Sequence, residues 1–315
     1  MKDKLTPSNL VLISIVCGLL MITALFAGCT QSTNTAAVAT TVPTEAATAM
    51  PTPVATTTTA IPTTMATTAT PVPTYTPSNS NLVAFTAASL TGASGTIGSS
   101  FTAAYPGTTV SFDLDGTQAL KTQVENGAYA DVFISASNSY TNTLTKEGYF
   151  VPNSVKTLTT NYVIVILPES NPANIQSLAD LAKPGVKIAM EAKTVPAGTA
   201  TIAVLNNLAN DTYSQSWMNQ TLGNVVTYET SEPAVATKVA LGEVDAGFVY
   251  QSTATAAPSG TYQSITIPKK DNYLQTYTIG ILNGSQNKAA AGWFEQYMLS
   301  SAGQNILTQY GFIAP

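Results

Sequence analysis

The chain has 315 residues, a formal net charge of −5 at pH 7 and a hydrophobic content of 44%. The acidic balance argues against a nucleic-acid partner, which requires a basic surface. The sequence contains no histidine and all 12 of its basic residues are lysines, which excludes a histidine general base and an anion clamp made of guanidinium groups.

The first 29 residues have the pattern of an export signal that ends in a lipidation site. Two lysines precede an apolar run over residues 10–26, and two small residues then lead to Cys29. We therefore predict that residues 1–29 are a signal peptide and that Cys29 is lipidated, becoming the mature N-terminus. A retained membrane-spanning helix is the alternative. The other cysteine, Cys17, lies inside the apolar run, so the mature chain is expected to lack a thiol, a disulfide and a zinc–thiolate site.

Residues 30–80 consist almost entirely of Thr, Ala, Pro, Ser and Val, with one charged residue, Glu45. Such a segment cannot bury enough apolar surface to offset the entropy lost on ordering. We predict a disordered stalk that is a candidate for O-glycosylation. An adhesive surface patch is the alternative interpretation.

From residue 82 onward, short apolar runs alternate with helical patterns, which is typical of βαβ units. Strands are predicted at 82–85, 110–112, 132–134, 162–167, 186–190, 246–250, 264–267 and 277–282. Helices are predicted at 90–105, 117–126, 138–148, 199–208, 233–241, 288–299 and 302–308. An α/β fold with two lobes around a cleft is the natural interpretation for an exported chain without evident catalytic residues.

Three predicted strands end in loops of small and hydroxyl residues that open helices. Ser89 follows the first strand, Thr117 follows the second, and residues 194–199 follow the fifth. Ligands collect at the carboxyl ends of strands in α/β sheets, where helix N-termini offer unpaired N–H groups to anions. Each residue alone is typical of a helix cap, so the prediction of an anion site depends on the combination.

Tyr250 ends the predicted strand 246–250, where its hydroxyl either packs or donates into a cleft. Five acidic residues also lie near predicted loops: Asp113, Asp115, Glu191, Glu229 and Glu232. We expect these carboxylates to be solvated, since nothing in the sequence places any two of them together.

A series of short motifs runs through the chain from 82 to 312. The motifs are VAFTAASL at 83–90, GTQAL at 116–120, QVENGA at 123–128, ADVFISA at 130–136, VPAG at 195–198, LGEVDAGFVY at 241–250 and YGF at 310–312. Their order and spacing resemble those of ModA-type molybdate-binding proteins. The resemblance implies an α/β periplasmic-binding-protein fold of type II, in which each of two lobes is a mixed sheet flanked by helices.

The resemblance also implies where the chain passes between the lobes. The crossings fall near Thr160 and near Thr276. Lobe 1 is then formed by residues 81–160 plus 276–315, and lobe 2 by residues 161–275.

The resemblance implies a site made of neutral donors. Lobe 1 contributes the hydroxyls of Ser89 and Thr117, where the family commonly has Ser at the second position. Lobe 2 contributes the backbone N–H of Ala197 and the hydroxyl of Tyr250.

Glu232 falls on a fifth position of the family's site, where bacterial relatives donate a backbone N–H. Archaeal relatives instead use two carboxylates on the metal centre of the oxyanion, and the second one aligns here with Val195. Because Val195 cannot coordinate, we predict that the Glu232 side chain turns outward.

The implied function is capture of molybdate or tungstate and its delivery to the membrane permease of an ABC importer. The protein is expected to be a lipid-anchored monomer on the outer face of the cytoplasmic membrane, without a cofactor, a directly bound metal or a catalytic residue. A donor-only cleft suits a fully deprotonated oxyanion, because a partly protonated phosphate also needs an acceptor.

Three alternatives remain open. The first is the same fold with sulfate, thiosulfate, phosphate or a small organic anion as its ligand, and the second is a structural or adhesive surface lipoprotein. An enzyme is the third, and it would need Lys183 or Lys187 to activate Ser89 in the absence of histidine.

Overall fold

The computed structural model describes residues 80–315. The predicted signal peptide, Cys29 and all but the last residue of the predicted stalk lie outside this range. Among the described residues, no helix is both long and apolar enough to cross a bilayer.

The described residues form nine strands. They are β1 (Ser80–Ala87), β2 (Thr108–Asp115), β3 (Val132–Ser135), β4 (Lys156–Pro168), β5 (Ile188–Glu191), β6 (Val225–Glu229), β7 (Ala246–Tyr250), β8 (Tyr262–Thr266) and β9 (Leu274–Ile281). The strand order is β2-β1-β3-β9-β4-β7-β5-β6, with β8 paired to β4.

Nine α-helices of the same range connect or flank these strands. They are α1 (Thr91–Ala104), α2 (Thr117–Glu125), α3 (Asn138–Lys146), α4 (Pro196–Asp211), α5 (Gln215–Gly223), α6 (Glu232–Ala240), α7 (Gln251–Ala256), α8 (Lys288–Leu299) and α9 (Ser301–Gln309).

The long strand β4 is shared between two halves of the sheet. Its first part pairs antiparallel with β9, where Thr160 lies opposite Thr276. Its second part pairs with β7 and β8. We call β1, β2, β3 and β9, with the helices that flank them, the first half; β5, β6, β7 and β8 with their helices form the second half.

Both halves contain strands that are buried along their whole length. Every residue of β3 and of β7 is buried, as expected for strands that are covered on both faces. In the first half, Phe101 of α1 packs edge-on against Phe294 of α8, with ring centroids 5.0 Å apart. These apolar layers hold the strand ends, and the loops that follow them, in fixed positions.

The predicted strands and helices all occur, most of them with shifted boundaries, and three further elements were not predicted. Only Trp217, Met218 and Thr221 of α5 are buried, and α7 has only six residues, so both have weak periodic patterns. Strand β6 alternates between exposed and half-buried residues at the edge of the sheet. Its exposed residues include Val226 and Tyr228, and a short apolar run of this kind gives no clear strand signal.

Candidate functional site

Helix N-termini from both halves meet at the carboxyl ends of the strands. Helix α2 follows β2, α4 follows β5, and α6 follows β6. They surround a cavity of about 10 Å³ whose lining includes Thr117, Glu191, Ala197, Glu232 and Tyr250. This volume is about that of one water-sized probe. The positive ends of the three helices make the surroundings favourable for an anion.

The two halves touch each other beside the cavity. The side-chain amide of Gln118 in α2 donates to the carbonyl of Thr230 at 3.0 Å, and the hydroxyl of Tyr140 in α3 donates to the carbonyl of Thr194. Gly116 permits this approach, because a Cβ there would lie 2.6 Å from the Thr230 carbonyl oxygen. The structure therefore shows the two halves closed over the cavity.

Thr117 lies where the sequence predicts a donor. Its side chain is 1% exposed and lines the cavity. The backbone N–H of Ala136 donates to its Oγ1 at 3.1 Å, which fixes the position of the hydroxyl. Since Oγ1 acts as the acceptor in that bond, the hydroxyl hydrogen remains free to donate to an acceptor in the cavity.

Ala197 and Tyr250, the two predicted donors of the second half, also line the cavity. The N–H of Ala197 lies in the first turn of α4 and donates to the carboxylate of Glu191. The hydroxyl of Tyr250 donates to the side-chain oxygen of Gln275 at 3.1 Å. Burial raises the pKa of Tyr250 well above its ordinary value, so the phenol stays protonated and remains a donor.

Ser89 lies beside the cavity, whose nearest lining residue in that segment is Ala88. Its hydroxyl is 2.8 Å from the hydroxyl of Tyr277, and it also bonds to the carboxylate of Glu232. The structure thus brings four of the five predicted residues to one cavity. Ser89 lies outside the lining, in contact with Glu232.

The prediction that Glu232 turns outward is wrong. Its side chain is 4% exposed, and its Oε1 accepts hydrogen bonds from the N–H of Tyr250 at 3.2 Å and from the hydroxyl of Thr253 at 3.3 Å. These two donors, with Ser89, give the carboxylate a polar lining inside the protein. Burial is the largest influence and raises the pKa of Glu232 to about 7, against the opposing effect of these donors.

Glu191, which was expected to be solvated, lines the cavity instead. It is the last residue of β5 and only 2% exposed. Burial first, and the nearby Glu232 second, raise its pKa well above the ordinary value, while the N–H groups of Ala197 and Gly198 act in the opposite direction. The one available signal was a carboxylate directly at the end of a buried apolar run.

Two expectations are corrected by this pair of carboxylates. Glu191 and Glu232 lie together, although no spacing in the sequence groups any two acids, and the cavity is therefore not donor-only. The other three loop acids lie elsewhere. Asp115 caps the N–H of Gly116 at 2.7 Å, Glu229 lies 3.8 Å from the ammonium of Lys238, and Asp113 lies within β2.

Comparison with known proteins gives the family. Residues 82–313 match the model of the bacterial extracellular solute-binding proteins. The chain belongs to this family. It is 32% identical over 235 residues to the molybdate-binding protein ModA of Mycobacterium tuberculosis, covering 75% of this chain and 85% of that protein. The resemblance to ModA-type proteins is thereby confirmed, and the family is one of binding proteins rather than enzymes.

Two further proteins are similar to this solute-binding protein. A putative ABC transporter substrate-binding lipoprotein of Bacillus subtilis is 26% identical, covering 65% of this chain and 76% of that one. The substrate-binding domain of a putative molybdenum ABC transporter from Clostridium difficile has a TM-score of 0.58 and 26% identity, covering 75% of this chain and 99% of that one. The predicted α/β periplasmic-binding-protein fold of type II is confirmed.

Proposed function

We propose that this protein captures molybdate or tungstate in the cavity between its two halves and delivers it to the membrane permease of an ABC importer. The observation that carries the proposal is the convergence of three helix N-termini on one cavity, lined by Thr117, Ala197 and Tyr250. Similarity to the molybdate-binding protein of M. tuberculosis supports the choice of ligand.

The anion is held by dipoles and neutral donors. The net charge of −5 repels anions weakly, and no lysine lines the cavity in the part of the chain that the structure describes. Local N–H and O–H groups must therefore replace the hydration shell, and a buried oxyanion is stable only when its oxygens are paired. Thr117 supplies such a donor directly. Ala197 and Tyr250 supply theirs once they release Glu191 and Gln275, and Ser89 adds another once the cavity widens.

Capture requires the halves to open and close. A cavity of about 10 Å³ holds about one water, so an oxyanion enters only when the contacts of Gln118 and Tyr140 across the opening are broken. We assign the lobes to residues 81–160 plus 276–315 and to residues 161–275. The pairing of Thr160 with Thr276 in adjacent strands supports two crossings at one place.

The proposed location is the outer face of the cytoplasmic membrane, with Cys29 as the lipid anchor and the chain acting as a monomer. Support comes from the signal-like residues 1–29, from the extracellular family and from the lipoprotein name of the B. subtilis relative. The segment 30–80 is then long enough to keep the binding domain away from the bilayer while it docks on the permease.

Replacement of Thr117 tests the site. Thr117→Val removes the hydroxyl and is expected to weaken molybdate binding at least about tenfold, because one oxygen of the ligand loses its donor. Thr117→Ser keeps the donor and is expected to restore binding. Thr122→Val, on the exposed side of the same helix, is the matched control. Equal affinities for Thr117→Val and the wild type would refute the assigned site.

A further inference from the structure

Glu191 has a hydrogen-bonding atom that the closed structure leaves unused. The residue is 2% exposed and lines the cavity, and within residues 80–315 its Oε2 is without a hydrogen-bond partner. The N–H groups of Ala197 and Gly198 donate to the same carboxylate from the first turn of α4. An unpaired buried oxygen of this kind costs free energy unless a ligand or a proton satisfies it.

The groups around Glu191 do not neutralise it. Glu232 faces it from α6, and the phenols of Tyr250 and Tyr277 lie on β7 and β9. Glu229, its register partner on β6, is 3.8 Å from Lys238. No lysine of the described residues lies within ion-pair distance of Glu191 itself. An ionised Glu191 would therefore place its negative charge next to a bound dianion in a region of low dielectric, where the two repel each other strongly.

We propose that Glu191 is a ligand-binding residue that acts as a neutral carboxylic acid, in which Oε2 carries a proton and donates it in a hydrogen bond to the captured oxyanion. The other carboxyl oxygen continues to accept from Gly198, and the N–H of Ala197 is released to the oxyanion. The proton comes from solution, so capture is linked to proton binding whenever the empty site is ionised. This inference rests on the proposed function and adds a donor, and a pH dependence, to the same site.

The linkage has a definite sign. Burial and the proximity of Glu232 raise the pKa of Glu191, so the acid form is favoured at lower pH. At a pH above that pKa, each captured anion must bring one proton with it, and affinity falls by about tenfold per pH unit. Tyr250 and Tyr277 have pKa values raised well above the ordinary value, so neither phenol accounts for such a fall.

The test is calorimetric titration of the folded chain with sodium molybdate from about pH 6 to about pH 9.5. We expect the wild-type affinity to fall at the alkaline end more steeply than that of Glu191→Gln, whose amide donates without titrating and in which Glu232, with a pKa of about 7, is the remaining acid of the cavity. Glu191→Ala lacks the donor and is expected to bind at least about tenfold more weakly at the acid end. Glu229→Gln, altered in the neighbouring strand outside the cavity, is expected to keep the wild-type pH profile.

Three outcomes overturn the inference. They are a wild-type affinity that does not change with pH, an equal fall in Glu191→Gln, and an affinity of Glu191→Ala equal to or tighter than that of the wild type. The last result would mean that the carboxylate only occupies the helix N-terminus in the empty site. Failure of the wild type to bind any of molybdate, tungstate, sulfate or phosphate at any pH would instead refute the proposed function.

Discussion

The hydroxyls of Ser89 and Tyr277 lie 2.8 Å apart, and both side chains are buried. Ser89 also bonds to the carboxylate of Glu232, which lines the cavity. Tyr277, Ser89 and Glu232 therefore form a chain of hydrogen-bonded side chains that ends at the cavity. The orientation of Ser89 is thus set by a residue of β9, a strand that pairs with the shared strand β4.

Removing the hydroxyl of Tyr277 is expected to weaken ligand binding. In Tyr277→Phe the Ser89 hydroxyl loses its orienting partner, and we predict an affinity for molybdate that is lower by about tenfold, or about 1.4 kcal/mol. Tyr310→Phe is the control, because Tyr310 makes the same kind of pair with Thr96, 2.7 Å away and outside the cavity. Calorimetric titration of both variants with molybdate tests this prediction. Equal losses of affinity in the two variants would show that Tyr277 does not orient the site.

The buried carboxyl of Glu232 makes stability depend on pH. Its pKa is about 7 in the folded state against an ordinary value of 4.5, so the folded state binds more protons between these values. The free energy of unfolding is then highest below about pH 4.5 and falls as the pH rises through 7, by about 3 kcal/mol for this group.

Glu232→Gln is expected to remove that share of the pH dependence. Urea unfolding at about pH 5 and about pH 9 measures it, and the variant should exceed the wild type in stability only at the higher pH. Glu295→Gln is a useful comparison, since burial also raises the pKa of Glu295 to about 7 but the residue lies on α8, outside the cavity lining. A wild-type stability that rises between the two pH values would contradict this account.

The tight turn from β5 into α4 depends on Gly198. A Cβ at this position would lie 2.1 Å from the carbonyl oxygen of Ala192 and 2.6 Å from that of Glu191. We predict that Gly198→Ala lowers the free energy of unfolding by about 2–3 kcal/mol, as overpacked positions do. Gly95→Ala, in the interior of α1 with nothing within 4 Å of its Cβ, should instead be neutral or stabilising by up to about 1 kcal/mol. Thermal or urea unfolding distinguishes them, and equal effects would be inconsistent with a steric requirement at residue 198.

The contact between Tyr140 and Thr194 joins the two halves at the cavity opening. Tyr140→Phe removes it, so we expect the closed form to be less populated and molybdate to dissociate several-fold faster, with a smaller effect on association. Tyr262→Phe is the control, since Tyr262 donates to the carbonyl of Ala236 at 2.9 Å within the second half. Stopped-flow measurements of dissociation test the prediction, which an unchanged rate in Tyr140→Phe would contradict.

The spacing of apolar residues was sufficient to predict most of the helices and strands. Helix α8 occupies the predicted residues 288–299, because its apolar residues recur with helical spacing and it is buried on one side. The positions of Thr117 and Ala197 near helix starts were also predictable, since Thr117 lies two residues after β2 and Ala197 lies between Pro196 and Gly198 in the segment that opens a helix after β5.

The electrostatics of the cavity were not predictable from local pattern. Glu191 and Glu232 are far apart in sequence and come together because β5 pairs in parallel with β6, so that the end of β5 lies beside the start of α6. Strand β7, on the other side of β5, brings the N–H of Tyr250 to Glu232. The inward turn of Glu232 depends on that long-range donor and on Thr253. A strand order of this kind leaves no trace in the spacing of apolar residues.

The most direct test of the central claim is calorimetric titration of the chain with molybdate, tungstate, sulfate and phosphate in parallel, at one pH near neutrality. We predict tight binding of molybdate and tungstate, and binding of sulfate and phosphate that is weaker by at least about a hundredfold, or about 2.8 kcal/mol. Tighter binding of phosphate would contradict it and would mean that Glu191 acts as an acceptor. Binding of none of the four anions would leave the fold intact and refute the assignment of an oxyanion site.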